Sequence, residues 1–261
     1  MSILTIRDLR ISHEAGIDLV SRVDIELTAG GRLGILGESG SGKSLTALAI
    51  TRLLAPALQS SGSVNYRGTE LLKLSEKEMC DVRGSKIAIV FQDPLSSLDP
   101  LMTVGKQLSL PLSRYQGIKR GGLKTAVEGA LKEVKIADPK RVAHSYPHEI
   151  SGGERQRVAL AMALACQPEI LIADEITTSL DVSIAAEVLD LLDQLVRTKN
   201  MSLVFISHDI STVSLIVDEA IVMHTGVIVE RGSIRELIRN PQDPYTKKLV
   251  ASALNLERAL Q

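Results

Sequence analysis

Gly37-Glu38-Ser39-Gly40-Ser41-Gly42-Lys43-Ser44, the stretch GESGSGKS, has the spacing G-x-x-x-x-G-K-S and lies between two apolar runs. Before it stands the strand-like Arg32-Leu33-Gly34-Ile35-Leu36. After it Leu45-Thr46-Ala47-Leu48-Ala49-Ile50 repeats apolar positions at helical spacing, a pattern that persists to about Leu54. In such a strand-loop-helix unit Gly37, Gly40 and Gly42, lacking Cβ, let the backbone take φ > 0 and point successive N–H groups inward at an anion. The helix aims its positive dipole end at the same spot, Lys43 reaches β and γ phosphates, and the Ser44 hydroxyl is placed for a magnesium ion. A nucleoside triphosphate is the expected ligand; a glycine-rich turn that merely joins strand to helix is the other reading of this motif alone.

Outward from the loop the chain reads as sheet. Ile3-Leu4-Thr5-Ile6 and Leu9-Arg10-Ile11 form a strand pair or one long bent strand, and Val23-Asp24-Ile25-Glu26-Leu27 alternates as a half-buried strand should. Ala29-Gly30-Gly31 turns the chain into the loop's own strand. On the other side Ser60-Ser61-Gly62 breaks the pattern, and Ser63-Val64-Asn65-Tyr66 is a further strand ending at Gly68. Lys86 to Phe91, KIAIVF, suits a strand buried on both faces of a parallel sheet, with Gln92 at its end. From there to about Glu149, proline, glycine and amphipathic stretches such as Leu123 to Val134 predict a helical lobe. Sheet returns at Ile170 to Ala173 and Leu203 to Ile206 around the helix-periodic Ile184 to Val196, a spacing that implies a right-handed parallel crossover. Ala220 to Met223 and Val227 to Val229, split by Thr225-Gly226, predict a hairpin. The tail from Ile234 is helical, interrupted by Pro241 and Pro244.

With 261 residues and 44% apolar content, the chain has length for one large domain or two modest ones and ample material for a core. Thirty basic residues nearly cancel thirty-one acidic ones, which gives no general electrostatic case for nucleic acid; the local basic stretch RYQGIKRGGLK, Arg114 to Lys124, reads as a solvated loop. Cys80 and Cys166 form no CxxC pair, so a reducing cytoplasm fits and neither a disulfide framework nor a zinc site is expected. No run reaches the roughly eighteen apolar residues that span a bilayer, and no signal peptide is read at the N-terminus. A globular chain that works at a membrane only from outside it is expected.

Asp174-Glu175 closes the apolar strand Ile170 to Ala173, so two carboxylates emerge at the C-terminal edge of a parallel sheet, where ligands bind in open α/β folds. Asp174 is placed to hold magnesium through its water shell and Glu175 to polarise an attacking water. The plainer reading is a pair of exposed strand-end acids. Ser151-Gly152-Gly153-Glu154-Arg155-Gln156-Arg157 feeds a helix from about Val158 to Cys166: a second anion site, or an ordinary serine cap with a glycine-rich entry. One triphosphate does not need two such sites from one chain, so the economical arrangement has each loop meeting phosphates held by a neighbouring molecule. His208 either reaches a γ-phosphate or is a polar strand-end residue beside a cap at Ser207 or Asp209. Gln92 is a metal and water ligand or a plain loop amide, and Asp181 an N-cap or an interface residue.

GESGSGKS, Gln92, SGGERQR, ILIADE, TSLD and His208 stand in the order and approximate spacing of the ATP-binding subunits of ABC transporters, a family that the chain resembles over nearly its whole length. The resemblance implies an α/β fold of the ABC-type P-loop NTPase class. Its RecA-like core with an N-terminal antiparallel β subdomain would take residues 1–92 and 152–233, a helical subdomain 93–151 would carry the signature loop at its end, and a helical tail would follow at 234–261. It implies ATP held by Gly37, Glu38, Ser39, Gly40, Ser41, Gly42, Lys43 and Ser44 of one subunit and by Ser151, Gly152, Gly153 and Glu154 of the other. Mg2+ would sit at Ser44, Gln92 and Asp174, with Glu175 as general base, His208 on the γ-phosphate and Gln92 beside them. The implied partners are a second ATPase subunit, a paralogue or another copy, and two integral-membrane permease subunits docked near Gln92 and the helical lobe. An extracytoplasmic substrate-binding protein is an indirect partner, nucleic acid is none, and the location is peripheral, on the cytoplasmic face of the membrane.

Phe91 to Pro100 and Asn240-Pro241-Gln242-Asp243-Pro244-Tyr245-Thr246 resemble the subunits that power oligopeptide, dipeptide and nickel importers. The chain departs from the family where members often stack an aromatic ring on adenine: no aromatic precedes Tyr66, and Ile17 takes that place. Ile176 stands where proline usually follows the Asp-Glu pair, and without cysteines in the tail no metal cluster is expected there. The rival is a soluble ABC protein that closes on nucleic acid or the ribosome. A single ATPase module, balanced charge and the lack of a long coiled-coil insertion speak against it.

Overall fold

The first two apolar runs are one strand, β1 (Ser2–His13), paired antiparallel with β2 (Asp18–Thr28) and with β4 (Leu58–Tyr66). It bends at Asp8, where φ is 46° and the pairing with β2 shifts register between Ile6 and Leu9. Gly62 of β4 has φ 100°, and a Cβ there would fall 2.4 Å from the Asp8 carbonyl oxygen, so glycine alone lets the two strands bulge past each other. Ser60-Ser61-Gly62 is therefore a bulge within a continuing strand, not the break that its composition predicts. The short β5 (Thr69–Glu70) completes this sheet. These coordinates come from a computed structural model that describes residues 1–93, 97–178 and 180–259, without the side chains of 254–259.

The loop's strand, β3 (Arg32–Leu36), lies between two parallel neighbours, β8 (Ser202–Ser207) and β9 (Glu219–His224), and β9 pairs antiparallel with β10 (Val227–Ser233). A strand flanked on both edges and covered on both faces is apolar throughout rather than alternating; Leu33, Ile35 and Leu36 with Leu203 to Ile206 are all buried. Thr225 and Gly226, both at positive φ, make the expected two-residue hairpin turn. Helix α1 (Lys43–Ile50) ends before Leu54, because Thr51 caps it and Arg52 takes φ 51°, its guanidinium bonded to the Leu74 carbonyl. With α8 (Ile210–Ser214), α9 (Ile234–Arg239) and α10 (Pro244–Ala259), these elements form one compact unit, Met1–Cys80 with Ser202–Gln261. Pro244 opens α10, where the missing N–H costs nothing.

The second unit is Asp81–Met201. The chain enters it along α2 (Glu76–Val82), and β6 (Ile87–Val90) then lies parallel to β7 (Ile170–Asp174), pairing Ile87 with Ile170 and Val90 with Ala173. Helices α3 (Val104–Gln116), α4 (Leu123–Glu133) and α5 (Pro139–His144) pack on one another, and α3 and α4 also pack on α6 (Gly152–Ala165). Helix α7 (Val182–Thr198) buries Val188, Leu191, Leu192 and Leu195, spaced i, i+3, i+4 and i+7. The helical stretch expected between 93 and 151 is present as α3 to α5, and the compact unit takes in β6, β7, α6 and α7 with it. Arg157 of α6 shows why: its buried guanidinium donates to the Val134 carbonyl at 3.3 Å and to the Glu187 carboxylate of α7 at 2.7 Å. The basic stretch 114–124 is the end of α3, a turn at Gly117 and the start of α4 rather than a loop throughout. Among the described residues no helix is long and apolar enough to cross a membrane.

Candidate active site

In the first unit the chain leaves β3 at Leu36 and enters α1 at Lys43. Gly37, Gly40 and Gly42 take φ of 153°, 82° and 100°, as the motif requires. Packing enforces this shape. A Cβ on Gly37 would lie 2.3 Å from the Met223 carbonyl oxygen, and one on Gly42 would lie 2.8 Å from Cγ2 of Val20. Gly42 is the N-cap and provides no side-chain cap, so no side chain of its own satisfies the amides at the head of α1. Lys43 is 3% exposed, and its Nζ donates to the carbonyls of Gly37 and Glu38, each at 2.8 Å. The Ser41 hydroxyl is buried with no hydrogen-bond partner among the described residues. Ser44 is half-buried; Glu38, Ser39 and Gly40 are exposed. The result is a glycine-shaped loop leading into a helix N-terminus beside one buried cation, the chemistry that suits an oxyanion.

His208 belongs to the same unit. Leu36 pairs in register with Ser207, so Gly37 and His208 each stand one residue past a paired position at one sheet edge. The turn around His208 is fixed on both sides. The Ser207 hydroxyl oxygen accepts from the Asp209 N–H at 3.0 Å, and the Asp209 carboxylate caps α8 by accepting from Ser211 N–H at 3.0 Å and Thr212 N–H at 3.3 Å. The capping role thus falls to Asp209, and the imidazole stays exposed. Ile17, in the position of the expected adenine-stacking ring, is 59% exposed.

In the second unit the parallel pairing of Val90 with Ala173 brings Gln92 and Asp174-Glu175 to one strand edge. Asp174 is buried at the end of β7. Glu175 is half-exposed with φ 47°, a left-handed conformation that costs a non-glycine residue roughly 1–3 kcal/mol. Its Oε2 accepts from Gln92 Nε2 at 3.1 Å, and the single proton of the Thr178 hydroxyl is shared between the Glu175 carbonyl at 3.0 Å and Oε2 at 3.3 Å. Ile176, in the place of proline, is buried behind them. Gln92 thus donates to Glu175, and Thr178 is a partner of Glu175 that the motifs did not single out.

The signature turn lies at the head of α6, which begins at Gly152 rather than Val158. Ser151 Oγ accepts from the Glu154 N–H at 3.2 Å while Glu154 Oε2 accepts from the Ser151 N–H at 3.0 Å, a reciprocal capping box. Arg141 pairs with the other Glu154 oxygen. Gly153 is tight, since a Cβ would lie 2.8 Å from Cγ2 of Ile184. In this chain by itself the serine-cap reading holds, with Ser151 and Gly152 exposed at the unit's surface. Asp181 precedes α7 but its side chain makes no capping bond. Pro94, Leu95 and Ser96 of the 91–100 stretch and Ser179 of TSLD lie outside the described residues.

Comparison with known proteins agrees with this geometry. The family model described as ABC transporter matches residues 20–178. The oligopeptide transport ATP-binding protein OppD of Bacillus subtilis is 42% identical, the alignment covering 98% of this chain and 73% of that protein. The dipeptide transport ATP-binding protein DppD of the same organism is 39% identical over 98% of this chain and 78% of its own length. Among solved structures, the dimeric post-hydrolysis state of the ATP-binding cassette MJ0796, bound to ADP and Pi, superposes with a TM-score of 0.79 at 28% identity, covering 89% of this chain and 99% of that one.

Proposed function

The chain belongs to the ABC transporter family, and from that premise we propose that it is the ATP-hydrolysing subunit of an importer whose cargo class is peptides. The observation that carries the ATP-binding part of this reading is the start of α1, where a buried ammonium rests on the Gly37 and Glu38 carbonyls at a helix end capped by a glycine. ATP is the substrate. Gly37 to Ser44 cradle its phosphates and Lys43 offsets their charge. The hard oxygen donors Ser44, Gln92 and Asp174 suit Mg2+, which when bound neutralises charge on the β and γ phosphate oxygens. Among the described residues no group of three or more His, Cys, Asp or Glu side chains could hold a metal by itself.

Glu175 acts as general base. The attacking water forms the new bond to the γ-phosphorus, its proton passes to the Glu175 carboxylate, and ADP leaves with the electrons of the broken bond. Gln92 and Thr178 orient that carboxylate, and His208 contacts the γ-phosphate. Ser151, Gly152, Gly153 and Glu154 meet the phosphates held by a second ATPase subunit, a paralogue or another copy. That role is supported by the exposure of Ser151 and Gly152 and by the dimeric state of the similar cassette. Two permease subunits dock near Gln92 and the helical stretch 93–151, with the subunit peripheral on the cytoplasmic face and the 234–261 tail appended to a core of 1–92 and 152–233. The nucleic-acid alternative has no support: the relatives carry peptide-transport names, and the charge is balanced.

Glu175→Gln tests this reading in the complex purified with its membrane partners. ATP binding is retained while turnover falls by roughly a hundred- to ten-thousand-fold, the usual worth of a positioned base. Near-normal hydrolysis would remove Glu175 from the role.

A further inference from the structure

Tyr245 is the second residue of α10, more than two hundred positions from the phosphate loop in sequence, yet its hydroxyl oxygen accepts a hydrogen bond from the Glu38 N–H at 2.7 Å. The carbonyl of that same peptide group, the Gly37 C=O, accepts from Lys43 Nζ at 2.8 Å. The Glu38 carbonyl accepts from Lys43 Nζ at 2.8 Å and from the Ser41 N–H at 3.2 Å. A single residue of the loop thus links the phosphate-binding lysine to the C-terminal helix. Lys248, one turn along α10, adds an ion pair to the Glu38 carboxylate at 3.6 Å. Both partners there are exposed, so that pair contributes little by itself.

Tyr245 is itself held from three sides. Its ring stacks on His224 of β9, with centroids 4.0 Å apart and planes at 22°. Its N–H donates to Asp243 Oδ1 at 2.8 Å, and the Asp243 and Gln242 N–H groups in turn donate to the two Glu230 oxygens at 3.0 and 2.8 Å. The neighbouring Thr246 and, a turn on, Val250 are buried and anchor the helix. A side chain fixed so thoroughly and ending on one backbone amide of a ligand loop has the construction of a support. We infer that Tyr245 is a positioning residue for nucleotide binding: it holds the Gly37–Glu38 peptide in the orientation that presents the Gly37 carbonyl to Lys43, and so keeps the loop ready for phosphate. The inference rests on the ATP-binding reading above. A loop held equally for substrate and transition state changes KM and leaves kcat alone.

The experiment compares the unaltered transporter complex with Tyr245→Phe, which keeps the stack on His224 and removes one oxygen. ATP affinity, KM and kcat are measured together with hydrogen exchange of the Glu38 amide. The expected result is a rise in KM and in the ATP dissociation constant by roughly three- to tenfold, the worth of one hydrogen bond, with kcat unchanged and Glu38 exchange accelerated. Unchanged affinity and KM in Tyr245→Phe, while the unaltered complex binds ATP, would overturn this inference and leave the functional reading standing. No ATP binding by the unaltered complex would remove both. Should the variant fail to fold, exchange in the unaltered chain decides: slow exchange at Glu38 with and without ATP supports the contact, and fast exchange in both overturns it.

Discussion

The phosphate loop and the Asp174-Glu175 turn each follow a buried parallel strand, and they are held in contrasting ways. At the loop, shape is imposed by packing: Met223 and Val20 exclude any Cβ at 37 and 42, and the Lys43 ammonium is buried on two carbonyls. At the turn Asp174 is buried but Glu175 is half-exposed, strained at φ 47°, and secured by the side chains of Gln92 and Thr178. Under the proposed roles, sterics prepare the binding part, whereas a few hydrogen bonds and a left-handed backbone prepare the chemical part. With Glu175 as the proposed base, small changes at the turn are expected to alter rate without altering affinity.

The largest effect that sharpens this contrast is the collapse of turnover in Glu175→Gln with binding intact. Next in size, Thr178→Val keeps the side-chain shape and removes the hydroxyl on Glu175. Turnover falls roughly three- to tenfold, the worth of one hydrogen bond, and ATP affinity is unchanged in an equilibrium titration. A loss of affinity in that variant would break the contrast. The smallest effect is at the signature turn, where Ser151→Ala removes the cap of α6 and costs about 0.5–2 kcal/mol of stability, read as a lower melting temperature.

Much of this was legible in the residues because the decisive signals are local. Glycine spacing around Lys43 specifies strand, turn and helix, Thr225-Gly226 specifies the hairpin, and the apolar run ending at Asp174 specifies a buried strand with acids at its end. What escaped depends on partners distant in sequence. Gly62 reads as a breaker until the bulge at Asp8 is set against it, and α1 ends early because of Arg52 and the Leu74 carbonyl. The turn at Ser151 supports two readings in one sequence, and the isolated chain adopts the capped one. Tyr245 could be quoted as part of a subfamily stretch, but nothing local to it points at Glu38.

The central claim is that the phosphates of ATP rest on the loop from Gly37 to Ser44. Nucleotide binding by Lys43→Ala, measured in the assembled transporter beside Glu175→Gln, tests it most directly. Glu175→Gln retains ATP and Lys43→Ala loses it. Undiminished ATP affinity in Lys43→Ala would contradict the claim.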